Sequence, residues 1–118
     1  MVKARLLPAL AAAFVLTLAQ AARADGFLSV MDDLPLAPGL TEQPGAMQFD
    51  SPSGQIVEVL ASGSVAASSV TAFYAQTLPQ LGWEQTADGA FRRDKELLRI
   101  EVDSRKKPVL VRFSVVPQ

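Results

Sequence analysis

Hydrophobic positions recur along this chain on two different periods. Leu98, Ile100 and Val102 alternate with Arg99, Glu101 and Asp103, and Val109, Val111, Phe113 and Val115 alternate with Leu110, Arg112, Ser114 and Val116. A repeat of two puts each set of side chains on its own face of a strand. These segments therefore predict antiparallel strands with one face wet. Upstream the repeat becomes helical: Val70, Phe73, Tyr74, Leu78 and Leu81 form one apolar stripe in a helix predicted from Val65 to about Leu81. Ser62 or Ser64 is placed to cap its start. Pro79 predicts a bend or an end near Thr77–Leu78, and Gly82 supplies the turn out. Burying each larger stripe residue is worth ~1.5–3 kcal/mol, which outweighs the poor helix propensity of Ser68, Ser69 and Thr71.

Shorter strands complete the pattern. Trp83–Thr86 and Ala90–Arg93 flank Ala87-Asp88-Gly89, whose Asp-Gly step favours a hairpin. Gln55 to Ala61 carries Ile56, Val57, Val59 and Leu60 on both faces, which predicts a central strand. It follows a short strand at Met47-Gln48-Phe49 through the turn Pro52-Ser53-Gly54. Before that, residues 25–54 hold four prolines and four glycines, a density that predicts extended and turn backbone and no helix. The expected fold is α+β, a two-layer sandwich with one helix on an antiparallel sheet, in the order β-β-α-β-β-β. It is read as one domain, with 25–54 as a Pro/Gly-rich acidic arm and first strand and 55–118 as the α+β core.

Residues 1–24 stand apart. Lys3 and Arg5 precede an apolar run from Leu6 to Leu18, and Ala22-Arg23-Ala24 forms an A-x-A site. This is the pattern of a secretory signal peptide cleaved after Ala24, and it predicts a periplasmic or secreted protein. The run is shorter than the ~20 residues that span a bilayer, so no stable membrane anchor is expected once the signal is cleaved. The sequence contains no Cys, which excludes disulfides and acylation at a lipobox cysteine.

The net charge of −1 hides a segregation of charge. From Asp25 to Phe91 there are eight acids and no Lys or Arg, whereas Arg92 to Gln118 holds eight bases and four acids. Solvated charge and packing of the basic end near the acidic part account for such asymmetry, which raises only a weak expectation of interaction surfaces.

Composition also narrows the chemistry. With no His and no Cys, Ser-His-Asp and Cys-His nucleophiles, most zinc sites and iron–sulfur ligation are excluded. Paired carboxylates remain open for acid–base work. Asp32 and Asp33 are adjacent and point to opposite faces of an extended segment. Glu101 and Asp103 share a wet face with Arg99, which reads as cross-strand ion pairing. Asp32, Asp33, Glu42 and Asp50 are oxygen ligands suited to Ca²⁺, but they lack the D-x-D-x-D-G loop. Gly63 precedes a helix start, where amides can hold an anion, but no Gly-Lys-Ser/Thr follows to make a P-loop.

The expectation is therefore a non-catalytic interaction domain without cofactor or metal. Its partner, an envelope protein, would engage Asp32, Asp33, Pro35 and Pro38 of the arm, the basic loop Arg105, Lys106 and Lys107, or an exposed sheet edge by strand addition. Nucleic acid is not expected, because the chain lacks basic residues interleaved with aromatics. The alternative is a small-ligand or lipid-binding module with Phe73, Tyr74, Trp83 and Phe91 lining a helix–sheet cleft.

Two stretches carry a resemblance. LPLAPGLTE near the mature start and VTAFYAQTLPQLGWE at the helix exit look like a pattern in small exported bacterial proteins and lipoproteins of unassigned function. Such proteins place a strand pair after a Pro-Gly segment, then an FY-containing helix that leaves through a GW-like step into a hairpin. The resemblance spans roughly residues 34–113 and implies a fold and an address without an activity. The chain departs from the lipoprotein members in having no cysteine to acylate. It is also similar, more weakly, to helix-grip domains of outer-membrane assembly lipoproteins, a fold analogy that transfers no role.

Overall fold

A computed structural model describes residues 26–118; the predicted signal segment and cleavage site lie outside the described residues. In chain order the elements are β1 (Phe27–Leu28), β2 (Met31–Pro35), β3 (Thr41–Glu42), β4 (Met47–Ser51), β5 (Gly54–Gly63), α1 (Ala67–Thr77), a 3-10 turn at Leu78–Leu81, β6 (Glu84–Ala87), β7 (Ala90–Arg93), β8 (Glu96–Asp103) and β9 (Val109–Pro117). The main sheet runs β3-β5-β9-β8-β7-β6, with β4 also paired to β5, and every pairing is antiparallel. β3 meets β5 at Ala61 and Ser62 and β4 meets it at Gly54 to Glu58, so two short strands share one flank of β5. The other flank belongs to β9, which makes β5 central, as its apolar residues on both faces required.

The register explains the core. Val57 stands opposite Val115, Val115 opposite Leu98, and Leu98 opposite Phe91. The next row is Val59, Phe113 and Ile100, and the next Ala61, Val111 and Val102. These residues share one face, and all except the half-buried Val102 are buried. Helix α1 lies on that face and buries Val70 and Tyr74, followed by Leu78. Phe73 is partly buried, and Leu81, at the end of the predicted stripe, is exposed. The helix stops where Pro79 predicted: Leu78–Leu81 tightens into a 3-10 turn, and Gly82 adopts a left-handed conformation at φ 94°.

Three details differ from the sequence reading. First, the helix starts at Ala67 with Ala66 as its N-cap and no side-chain cap. Neither serine caps it; Ser62 is held in β5, where its hydroxyl accepts a hydrogen bond from the Gln43 side chain at 2.8 Å. Second, five strands precede the helix where the order β-β-α-β-β-β gave two, and four follow it, matching the four segments read from the pattern where that order gave three. The Asp88-Gly89 turn folds β6 and β7 into a hairpin of their own, with Gly89 at φ 72°. Third, the arm is part of the core.

That last point follows from size. An 11-residue helix is about 16 Å long, whereas six strands side by side span roughly 24 Å. The helix cannot roof the sheet alone. Leu34, Leu36, Ala37 and Leu40 of the arm, with Leu28, complete the apolar layer and are buried. β1 and β2 pair as a separate two-stranded ribbon.

Candidate functional site

Side chains of the body hold the arm at two points. The buried Tyr74 hydroxyl donates to the Pro35 carbonyl at 2.7 Å and accepts from the Ala37 amide at 3.0 Å. Burial pushes the Tyr74 phenol well above its ordinary pKa, against a smaller opposing effect of the Ala37 hydrogen bond. Arg93 donates to Asp33 at 2.7 Å and to the Leu81 carbonyl at 3.2 Å, and its guanidinium stacks 4.3 Å from the centre of the Trp83 ring. Within the arm, Glu42 accepts from the Ser29 amide and hydroxyl at 2.8 and 2.6 Å. Gly63 marks a close approach: a Cβ there would collide with the carbonyl of Gly39 in the arm.

These contacts determine what the predicted arm residues offer. Pro35 is buried and its carbonyl is bonded to Tyr74, while Asp33 is paired with Arg93. Pro38 is exposed. Asp32 lies in β2, and its side chain is outside what the structure describes.

The carboxylates read as catalytic or metal-binding candidates do not converge. Glu58 and Glu101 flank Arg112 at 3.4 and 3.8 Å. Asp103 pairs with Arg105 at 3.1 Å, and that side-chain hydrogen bond is the main reason its carboxyl is held below the usual range. Among the described residues no three His, Cys, Asp or Glu groups are placed to hold a metal ion.

The four cleft aromatics separate in the fold. Tyr74 and Phe91 line an open cavity of about 430 Å³ together with Thr71, Gln85, Asp88 and Ile100. Phe73 packs edge-on against Tyr74 with ring centres 5.0 Å apart. Trp83 is buried beneath Arg93, and its indole N–H finds no acceptor among the described residues. Lys106 and Lys107 of the basic loop border a second hollow, of about 510 Å³, beside Gly63 to Ala66.

The two sheet edges differ in kind. At the β6 edge every residue is exposed, but the pairing with β7 shifts between Gln85 and Ala87 and the strand begins with Glu84. That bulge blunts the edge against further pairing. The β4 edge has five consecutive pairs with β5 and no irregularity. It carries one acid, Asp50, and no Lys, Arg or Pro, and its Met47 and Phe49 are 49% and 52% exposed. Both stand opposite the outward-facing Glu58 and Ile56, on the face of the sheet away from the helix. Sequence reasoning found this strand but could not place it at an edge, since strand order depends on long-range pairing. The available signal was its alternation, Met47 and Phe49 against Gln48 and Asp50, between Pro44 and Pro52.

No protein-family model, curated protein or solved structure matches this chain. Among the described residues no helix is long and apolar enough to cross a membrane.

Proposed function

We propose that this protein is a non-catalytic interaction domain of the periplasm or the exterior, and that its partner adds a strand to the β4 edge. The observation that carries the reading is that edge: straight, unblunted, and bearing two of the four exposed large apolar side chains of the described residues. Strand addition suits it because main-chain hydrogen bonds supply affinity while alternate side chains supply selectivity. The location is supported by the cationic, apolar and A-x-A segments of residues 1–24, and the absence of His and Cys supports a role without nucleophilic chemistry. The test is a photo-crosslinking phenylalanine analogue at position 49 in the living host, with Leu81, exposed elsewhere, as the control site. The expected result is a discrete crosslinked species from position 49 alone. No product at 49, or identical products at 49 and 81, refutes the reading.

The cavity bordered by Tyr74 and Phe91 favours a second reading, binding of a small ligand or lipid. Its volume falls within the ~300–1,000 Å³ typical of ligand pockets. Native mass spectrometry with fatty acids and small amphiphiles tests it, and no adduct across the panel removes it.

A further inference from the structure

We infer that the strand added to the β4 edge is β4 of a second copy, paired antiparallel about a two-fold axis through Phe49; the inference rests on the strand-addition reading above. The first support is the direction of the free backbone groups. The Gln43 amide, just past β3, donates to the Leu60 carbonyl at 2.7 Å, so the even-numbered residues of β5 turn their peptide groups toward the β3/β4 flank. Ile56 and Glu58 therefore bond to their opposites Phe49 and Met47, and by alternation Gln48 and Asp50 present N–H and C=O to the open side.

An antiparallel copy centred on Phe49 sets Gln48 of each chain against Asp50 of the other. That exchange satisfies all the outward groups of these residues in both chains. It also sets a side-chain amide beside a carboxylate, so no like charges meet. Phe49 meets its own copy in the non-hydrogen-bonded position, where cross-strand side chains approach most closely. Their rings would cover one another on the outer face beside the half-buried Ile56.

Other registers and edges fit less well. A shift of two residues one way opposes Asp50 to itself; the other way it opposes Phe49 to Met47 but sets the outward groups of Asp50 against Ala46, before β4 begins. Pairing of β4 with the β6 edge of another copy must accommodate the bulge between Gln85 and Ala87, and a head-to-tail contact of that kind leaves one edge of each kind open in a pair of copies. The two-fold arrangement closes and uses both β4 edges.

The test is sedimentation of the full chain as its host processes it, up to about 1 mM, where even weak association registers. The expected result is a concentration-dependent rise to twice the monomer mass. Phe49→Lys and Gln48→Pro should both remain monomeric with an unchanged near-ultraviolet spectrum. The first sets two cations face to face, and the second removes an outward N–H without touching the bonds to β5. The chain has no cysteine, so Phe49→Cys introduces its only thiol and should yield a disulfide-linked dimer on mild oxidation, whereas Gln85→Cys should not. Monomer mass at all concentrations, or a dimer that persists in both β4 variants, overturns the inference. If the chain is monomeric but the position-49 photo-crosslink joins it to a different protein, the second copy is refuted while strand addition at β4 stands. If no crosslink forms either, both fail.

Discussion

Replacing Tyr74 by Phe isolates one of the attachments between the arm and the body, the Tyr74 hydroxyl. The ring stays, with its edge-on contacts to Phe73 and Phe113 at 5.0 and 5.4 Å, and only the hydroxyl is lost. That hydroxyl serves two buried backbone groups, the Pro35 carbonyl and the Ala37 amide. Each group left without a partner costs ~1–3 kcal/mol, so with partial relaxation the total is about 2–4 kcal/mol. Small domains have only ~5–15 kcal/mol of stability. For a domain of this size the loss lowers Tm by about 10–25 °C. Thermal and urea denaturation followed by circular dichroism measures it, and amide exchange at Ala37 should accelerate far more than exchange in β9.

The same substitution has a pH signature. The folded phenol has a raised pKa, so its stabilisation is complete below the unfolded value of ~10 and is lost as pH rises above it. Wild type should lose stability relative to Tyr74→Phe between pH 10 and the folded pKa, and the sequence holds no other Tyr to confuse the comparison. A loss below ~0.5 kcal/mol with Ala37 exchange unchanged would show that the Tyr74 hydroxyl does not hold the arm.

Four further outcomes follow from the contacts around the arm and the basic loop. Gly63→Ala drives a methyl into the Gly39 carbonyl and should cost about 1–3 kcal/mol in urea titration; a neutral result would mean that the arm is free to shift there. Arg93→Ala should cost about 1–2 kcal/mol and shift Trp83 emission to the red, because it removes both the stacked guanidinium and the bond to the Leu81 carbonyl. Asp33→Asn should cost well under 1 kcal/mol, since its partner ion pair is half exposed; equal losses in the two variants would assign the effect to the ion pair. Arg105→Ala should raise the Asp103 pKa toward the ordinary carboxylate range, read by NMR titration, and an unchanged titration would contradict the side-chain hydrogen bond as its cause.

The core side of the fold was legible because its signals are local. Alternation in β8 and β9 told which side chains face inward, and the 3.6-residue stripe with Pro79 and Gly82 located both the helix and its end. The cap was misread because Ser62 and Ser64 have the right chemistry near the right place, but β5 runs on through Gly63 and draws Ser62 into the sheet. Tyr74 was legible as a core aromatic, but its hydroxyl partners lie 39 and 37 residues earlier, beyond any periodic pattern. The candidate edge was half legible: the strand could be read, its neighbours could not.

By itself, then, the sequence determined the helix and strands β4 to β9, the inward faces of β8 and β9, the exclusion of histidine and thiol chemistry, and the segregation of acids from bases. All of these depend on residue identity and on spacings within a few positions. Tertiary structure alone decided that the arm roofs the part of the sheet the short helix cannot reach. It likewise decided that Arg93 bridges Asp33 and Trp83, and that β4 rather than β6 is the straight open edge. Those outcomes depend on which segments win the competition to cover one sheet and pair with its flanks, a matter of total area and chain reach that no local pattern records.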